Sequence, residues 1–463
     1  MFQREKFGEK MIRFAHYQHE HYQQVCDFLI ELNEESRCHA NWNWARFEWM
    51  HEHPFTKKEL LGSMGLWFDD DHLVGATLID MFFGEAFVGA LNDYSYLYSE
   101  ILEYAFANLK DDQGLGIAIH DQCRREIDEA LRQGFRKTDA EEFDCEIGLD
   151  REFPLSLPEG FLVEEFDAQE HPEEMEWLAW RGFDHGDDRD DFLKQYKKPL
   201  QKRPHFDKSL CIVVRNVERE AVATASTWYD KRVDYAYIEP VCVLPEYRKK
   251  GLGRAAVYAA INHARDKGAK RAIVNSGQEF YKRIGFHLAN HYSFYWKKEE
   301  RVVHGVTYRI ERLLGKGKGG YSYLAKVGDQ EYVLKQIHHE PCDYYQFGNK
   351  IEAEKNDYQR LLDTGIRIPK MIDIDMEQEI VIKEYIQGDV ALDLIQEGKP
   401  IDGYLPQLRE MAILAKDKGL NIDYYPTNFV IRDGLLYYID YECNQYMDEW
   451  SLEQWGMKHW VKE

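Results

Sequence analysis

Arg248, Lys249 and Lys250 stand directly before Gly251 and Gly253 in PEYRKKGLGRAAVYAAINHA, residues 245–264. Basic side chains and glycines at the start of a stretch with helical spacing suit an anion. Three readings compete. Gly251, Gly253 and Ala256 satisfy the G-x-G-x-x-A spacing of a dinucleotide fingerprint, but that turn follows the first strand of a parallel βαβ unit, and here hairpin-like strands come first. A P-loop fails because no G-K-[ST] follows. In the third reading the strand YIEPVCV ends and LPEYRKK turns. Successive backbone N–H groups from Arg248 through Leu252, Gly253 and Arg254 to Ala255 then point into a concavity at a helix N-terminus, a cradle for a pyrophosphate. The glycines let the backbone approach without a Cβ in the way. A solvated basic turn is the plain alternative.

A second glycine set lies in YRIERLLGKGKGGYSYLAKVGDQEYVLKQI, from Tyr308. Gly315, Gly317 and Gly320 give G-x-G-x-x-G between two strands, the placement of a cover over ATP phosphates. Lys335 is spaced to reach the α and β phosphates. The helical stretch KIEAEKNDYQRLL offers Glu354 as its partner, with Glu352 as fallback, and NIDYYPTNFVIRDGLLYYIDYE supplies Asp423, Asn428 and Asp440.

These residues resemble two families. VCVLPEYRKKGLGRAAV matches [RQ]-x-x-G-x-[GA], the signature of the GCN5-related N-acetyltransferases, and NSGQEFYKRIGF resembles that family's N-x-x-x-x-x-Y-x-x-x-G-F ending, so that the resemblance spans residues 160–297. It implies that the loop holds the diphosphate of acetyl-CoA, that the backbone of Val241 and Val243 pairs with the pantetheine arm, that Tyr281 protonates the departing thiolate, and that Asn275 lies near the cofactor. An amine must be neutral to attack a thioester, and Glu239 is the nearest carboxylate in sequence to act as base. A structural salt bridge for Glu239 and a core position for Tyr281 are the alternatives. The segment from Tyr308 to Asp440 resembles the kinase fold of the aminoglycoside and choline phosphotransferase type, and minimal atypical kinases as well. That resemblance implies ATP beneath the glycines and VIKEYIQG (381–388) as a hinge strand, with Glu384 and Tyr385 at the nucleotide. It also implies that Asp423 orients and deprotonates an acceptor hydroxyl and that Asn428 and Asp440 hold Mg²⁺. Asn421 replaces the usual His, and DYE replaces D-F-G. Because 23 residues follow Asp440, the acceptor-binding helical lobe of aminoglycoside phosphotransferases is expected to be missing.

Periodicity supplies the elements that must position these groups. From Met11 a strand, an amphipathic helix, a strand meander, a helix, a strand, a helix and a last strand follow in order, and the order restarts at FLVEEF. Landmarks recur about 150 residues apart: RQGF ending at Phe135 against KRIGF ending at Phe286, and VGATLID against VATASTWYD. The repeat predicts a duplicated α/β unit and, together with the two resemblances, an α/β and α+β multidomain chain: two acetyltransferase-fold units with mixed, mostly antiparallel sheets and flanking helices (1–152 and 153–299), then a compact kinase-like domain (300–463). The loop of the first unit, NDYSYLYSEI, has Asp93 where basic residues are needed and no glycine, so residues 11–150 are expected to have lost acetyl-CoA and to act as scaffold or as one wall of the acceptor site.

Lys and Arg total 59 against 83 Asp and Glu, a formal charge of −24, which disfavours nucleic acid and suits cationic partners. The acidic run DHGDDRDD (184–191) fits a polyamine-like or aminoglycoside-like cation or, more plainly, a solvated loop. The eight cysteines show no CxxC pair, suggesting neither zinc nor disulfides, and HYQHEH (16–21) and HEH (51–53) lack known metal spacing. No run of eighteen apolar residues exists and the N-terminus lacks a signal-peptide core, so a soluble cytosolic protein with no membrane partner is expected. The function implied is a bifunctional transferase using acetyl-CoA, ATP and Mg²⁺, with a small-molecule or peptide amine as one acceptor and a hydroxyl as the other. Alternatives are an acetyltransferase regulated by a nucleotide-sensing module, an aminoglycoside-modifying resistance enzyme, and a scaffold without activity. Oligomeric state is left open.

Overall fold

Segments of strand and helix period alternate twice in one order before residue 298. The computed structural model describes residues 12–51, 53, 55–168, 170–195, 204–340 and 348–460. The first pass is β1 (Ile12–His16), α1 (Tyr22–Glu35), α2 (Trp44–His51), β2 (Gly65–Asp69), β3 (His72–Ile79), β4 (Ala86–Ala90), α3 (Tyr98–Asn108), β5 (Gly114–His120), α4 (Arg124–Arg132) and β6 (Arg136–Gly148). The second is β7 (Leu162–Glu165), α5 (Pro172–Gly182), α6 (Arg189–Gln195), β8 (Cys211–Arg215), β9 (Ala221–Tyr229), β10 (Tyr235–Val243), α7 (Leu252–Lys267), β11 (Arg271–Asn275), α8 (Glu279–Arg283) and β12 (His287–Lys298). Contacts divide the chain between Lys297 and Lys298.

The two passes do not close separately. One sheet runs β1-β2-β3-β4, the other β5-β12-β6-β11-β10-β9-β8-β7. The last strand of each pass is thus built into the other: β6 lies antiparallel on β11, with Val274 opposite Cys145, while β12 lies between β5 and β6. Burial follows the exchange, because Cys145, Ile147 and Leu149 from the first pass sit in the core of the second, and Tyr295 of β12 sits in the core of the first. Each large apolar side chain buried this way contributes about 1.5–3 kcal/mol.

A buried ion pair adds a further tie. Glu48 of α2 has a fully buried side chain; its carboxylate accepts the His205 backbone N–H at 2.9 Å and faces His205 Nδ1 at 2.5 Å. The hydrogen bond to Glu48 raises the His205 imidazole above its ordinary value, against the opposing effect of burial. A raised folded-state pKa stabilises fully below the unfolded value near 6.5 and is lost as pH rises through the folded value. The melting temperature is therefore expected to fall as pH rises from about 6 to 9, with a shallower slope in His205→Gln; equal slopes would remove His205 as the cause.

The second unit opens with the antiparallel sheet β13-β14-β15-β16-β18-β17: β13 (Glu300–Val303), β14 (Val306–Lys316), β15 (Gly320–Val327), β16 (Gln330–Ile337), β17 (Met371–Asp375) and β18 (Ile380–Glu384). Helix α9 (Lys350–Leu362) comes between β16 and β17, started by Asn349, whose side chain accepts the Glu352 amide at 3.2 Å. Beyond lie β19 (Asp389–Val390), α10 (Ala391–Gln396), α11 (Leu405–Asp417), β20 (Leu420–Ile422), β21 (Phe429–Arg432), β22 (Leu435–Tyr438) and β23 (Cys443–Gln445). No helix among the described residues is long and apolar enough to cross a membrane.

Candidate functional site

Strand β10 pairs with β11 in parallel only from Tyr235 to Tyr237, opposite Arg271 to Ile273. Past that point a bulge on the β9 side, between Ile238 and Val241, turns β10 away. Among the described residues, the edge from Glu239 to Val243, which carries Val241 and Val243, has no strand paired to it on the β11 side. At its end Lys249 (φ +63°) and Gly251 (φ +85°) take left-handed conformations and launch α7. Ala255, Ala256, Ala259, Ala260 and Ala264 are buried along that helix, small enough for it to lie close on the sheet. Gly253 packs against β10: a Cβ there would lie 3.1 Å from Val243.

Among the described residues, the backbone amides of Lys249, Lys250, Gly251, Leu252, Gly253 and Arg254 have no acceptor, and the first bond of the turn is Ala255 N–H to the Gly251 carbonyl at 3.1 Å. Six free N–H groups at the positive end of a sixteen-residue helix form a nest that fits a diphosphate. Lys249, Lys250 and Arg254 are exposed beside it. The expectation for Arg248 is corrected: its amide donates to the Pro245 carbonyl, and its guanidinium is turned back onto the carbonyls of Gly182 (2.8 Å) and Val243 (3.2 Å) and onto Asp184 (2.9 Å). Arg248 therefore ties the loop to the end of α5, and the acidic run 184–191 is partly spent on such ties, Asp187 pairing with Arg181 at 2.7 Å.

Tyr281 of α8 is buried against Phe280 and Phe286, with ring centroids at 5.0 and 5.5 Å. Its hydroxyl has no hydrogen-bond partner among the described residues. Burial first, then the charge of Glu239, hold its phenol well above the ordinary range, so it stays protonated. The Glu239 carbonyl accepts the Trp228 indole N–H at 2.7 Å. Asn275, at the end of β11, is turned into a polar network with the first pass: it donates to Asp144 at 2.9 Å, and Asp144 also accepts from Tyr292 (2.6 Å) and Asn290 (3.1 Å). Arg46 of α2 joins this network, bonding Glu142 at 2.8 Å and Asp80 at 2.9 Å. Sequence spacing holds no signal for these partners.

The corresponding loop of the first pass is closed. Asn92–Leu97 is a 3-10 turn whose Asn92 amide is taken by the Glu35 carboxylate at 2.8 Å and whose Tyr94 amide is bonded to Leu91. With Asp93 and Glu35 there, a diphosphate does not fit.

In the second unit a cavity of about 740 Å³ is lined by Gly315, Gly317, Gly320, Lys335, Lys383, Glu384, Tyr385, Asn428 and Asp440. Gly317 N–H to Gly320 carbonyl, at 2.9 Å, closes the glycine turn, and a Cβ on Gly320 would collide with the Gln336 carbonyl. Lys335 Nζ contacts Glu354 and lies 3.2 Å from Asp440; Glu352 stands at the exposed start of α9, so Glu354 is the partner. Burial pushes the Asp440 carboxyl up, but Lys335 and Lys383 pull it down further, to about 2. The second oxygen of Glu354 is buried without a partner. Oxygen donors from Asp440 and Asn428 on one cavity wall fit a hard divalent cation.

Two residues escaped the sequence reading. Lys383, inside the apolar run of β18, is buried with its ammonium 2.6 Å from the Ile439 carbonyl, and burial, then Lys335, lower it to about 8. Glu442 of DYE is raised by burial and then by Asp440. The Glu384 carboxylate pairs with Arg432 at 3.4 Å. The Asp423 carboxylate accepts the Tyr425 amide at 3.1 Å, and its backbone carbonyl accepts the side-chain amide of the cavity-lining Asn428 at 3.4 Å.

Residues 172–286 match the sequence model of the acetyltransferase (GNAT) family. A stretch of 149 residues is 28% identical to an uncharacterized N-acetyltransferase of Methanocaldococcus jannaschii, covering 30% of this chain and 61% of that protein. Another of 141 residues is 23% identical to the KEOPS complex subunit Bud32 of Pyrococcus abyssi, covering 30% and 63%. The chain thus spans less than two thirds of the length of these curated relatives. Among solved structures, a GCN5-related N-acetyltransferase from Sphaerobacter thermophilus aligns at TM-score 0.41 and 13% identity over 63% of this chain and 97% of that one. A tandem GNAT protein from the clavulanic acid biosynthesis pathway aligns at 0.41 and 14% over 62% and 98%.

Proposed function

We propose that the chain transfers acetyl from acetyl-CoA to an amine and, through residues 298–463, the γ-phosphoryl group of ATP to a hydroxyl. The observation that carries the first activity is the row of six unbonded amides at the start of α7, next to the strandless edge of β10. The amides bind the diphosphate, with Lys249, Lys250 and Arg254 adding charge, and the backbone of Val241 and Val243 holds the amide-bearing arm. Acetyl-CoA supplies the activated thioester. Tyr281 keeps a proton on its phenol oxygen for the leaving sulfur, and Glu239 takes one from the incoming ammonium. The first pass, its own loop unfit for a diphosphate, serves as a wall of the acceptor site through Arg46, Glu142 and Asp144.

Lys335, held between Glu354 and Asp440 in the glycine-covered cavity, supports the second activity. Lys335 would steady the nucleotide phosphates, Asp440 and Asn428 would hold Mg²⁺, and Glu384 and Tyr385 would border the base. A nucleotide sensor that regulates acetylation is the second reading, favoured by the Asp423 carboxylate being engaged by the Tyr425 amide.

Titration calorimetry with acetyl-CoA, followed by CoA release over aminoglycosides, polyamines and basic peptides with and without ATP and Mg²⁺, tests both. Saturable acetyl-CoA binding and CoA release with one amine class are expected; folded protein that binds no acetyl-CoA overturns the first activity. ATP consumption supports phosphoryl transfer, whereas ATP that is not consumed but shifts acetyl-CoA affinity supports the sensor.

A further inference from the structure

Cys38, His120 and Cys123 come from distant parts of the chain: the 3-10 turn Arg37–His39, the last residue of β5, and the residue that precedes α4. Two sulfurs and one imidazole nitrogen lie within 4.8 Å of one another. A tetrahedral Zn²⁺, with bonds of about 2.0–2.3 Å, spaces its ligand atoms about 3.3–3.8 Å apart, so small side-chain adjustments bring all three onto one ion. Thiolate and imidazole together select zinc over the hard cations that carboxylates prefer.

The place in the fold is informative. His120 ends β5 as Asn275 ends β11. In the first pass, Glu85, just before β4, bridges in parallel to Gly116, near the start of β5 and four residues ahead of His120, and the loop after β4 does not fit a diphosphate. His120 also packs edge-on against Tyr292, with centroids 5.3 Å apart, and Tyr292 donates to Asp144. The cluster therefore stands one aromatic ring away from the polar network that holds Asn275.

We propose that Cys38, His120 and Cys123 form a zinc site at the end of β5 in the first pass. Binding releases the two thiol protons to solvent and forms two thiolate bonds and one imidazole bond; no electrons move, and the net charge of ion plus thiolates is zero. The fourth position is left to water. His120 Nδ1 accepts the Gln122 amide at 3.1 Å, so coordination through Nε2 places the ring proton on Nδ1 at the expense of that contact. The site is independent of the acetyl and phosphoryl readings.

The test uses the full chain, reduced and stripped with a chelator, then titrated with Co²⁺. One equivalent should bind with a thiolate-to-cobalt charge-transfer band in the near ultraviolet, and Zn²⁺ should displace it. Cys38→Ser and Cys123→Ser should each weaken binding at least ~100-fold, while Cys145→Ser, in the other core, leaves it unchanged. Iodoacetamide labelling of the unaltered protein gives a check without variants: Zn²⁺ should protect Cys38 and Cys123. Folded protein with no thiolate band, a band that survives both serine substitutions, or labelling indifferent to Zn²⁺ overturns the proposal.

Discussion

Asp440→Ala is expected to lower ATP-dependent phosphoryl transfer at least ~1,000-fold, about 4 kcal/mol of barrier, and to leave acetyl transfer intact. The carboxylate is fitted to a cation: two lysines hold it ionised to about pH 2, against its burial. Alanine removes the metal ligand and, in the same step, the anion that balances Lys335 and Lys383. Lys383, already lowered to about 8 by burial and Lys335, loses the larger of the two carboxylate charges that hold it up, so the variant should also bind nucleotide phosphates in a different mode. Steady-state ATP turnover and CoA release measured on one preparation check both halves of the expectation. If a folded variant loses both activities equally, the two sites are not independent; if ATP turnover is unchanged, Asp440 holds no metal.

Tyr281→Phe is expected to lower kcat for acetyl transfer by roughly 100-fold, the lower end for loss of a general acid, with the KM for acetyl-CoA within about twofold of its original value. Phenylalanine keeps the ring contacts with Phe280 and Phe286, so folding should survive, and only the proton is removed. Because burial and Glu239 hold the phenol far above neutrality, Tyr281 remains a donor across the physiological range. It should add no falling limb to the pH profile below about 9. CoA release as a function of acetyl-CoA, with melting curves as control, decides it: an unchanged kcat would make Tyr281 a packing residue.

Local spacing made the turn before α7, residues 248–255, and the glycine turn at 315–320 legible, because each is a contiguous backbone device whose residues need only their neighbours. Even there the fold reassigned Arg248. Two carbonyls and Asp184 surround its guanidinium, and a charged fork takes the nearest fixed acceptors, not those an isolated loop would leave it. Lys335 and Glu354 could be paired because a strand lysine and a helix glutamate at that distance repeat a familiar pattern, whereas Lys383 looked like an interruption in an apolar strand.

From the sequence alone came the element order, its repetition, the glycines that permit the two turns, and the missing cradle at Asp93. Periodicity and left-handed backbone are properties of short stretches, and short stretches carry them. Tertiary structure alone decided that β6 and β12 change places, that Asn275 is bound by Asp144, and that Cys38 meets His120 and Cys123. The β6–β11 pairing, the Asn275–Asp144 contact and the meeting of Cys38 with His120 each join residues more than eighty apart. Backbone edges are chemically alike along the whole chain, so only the packing of complete cores selects among them.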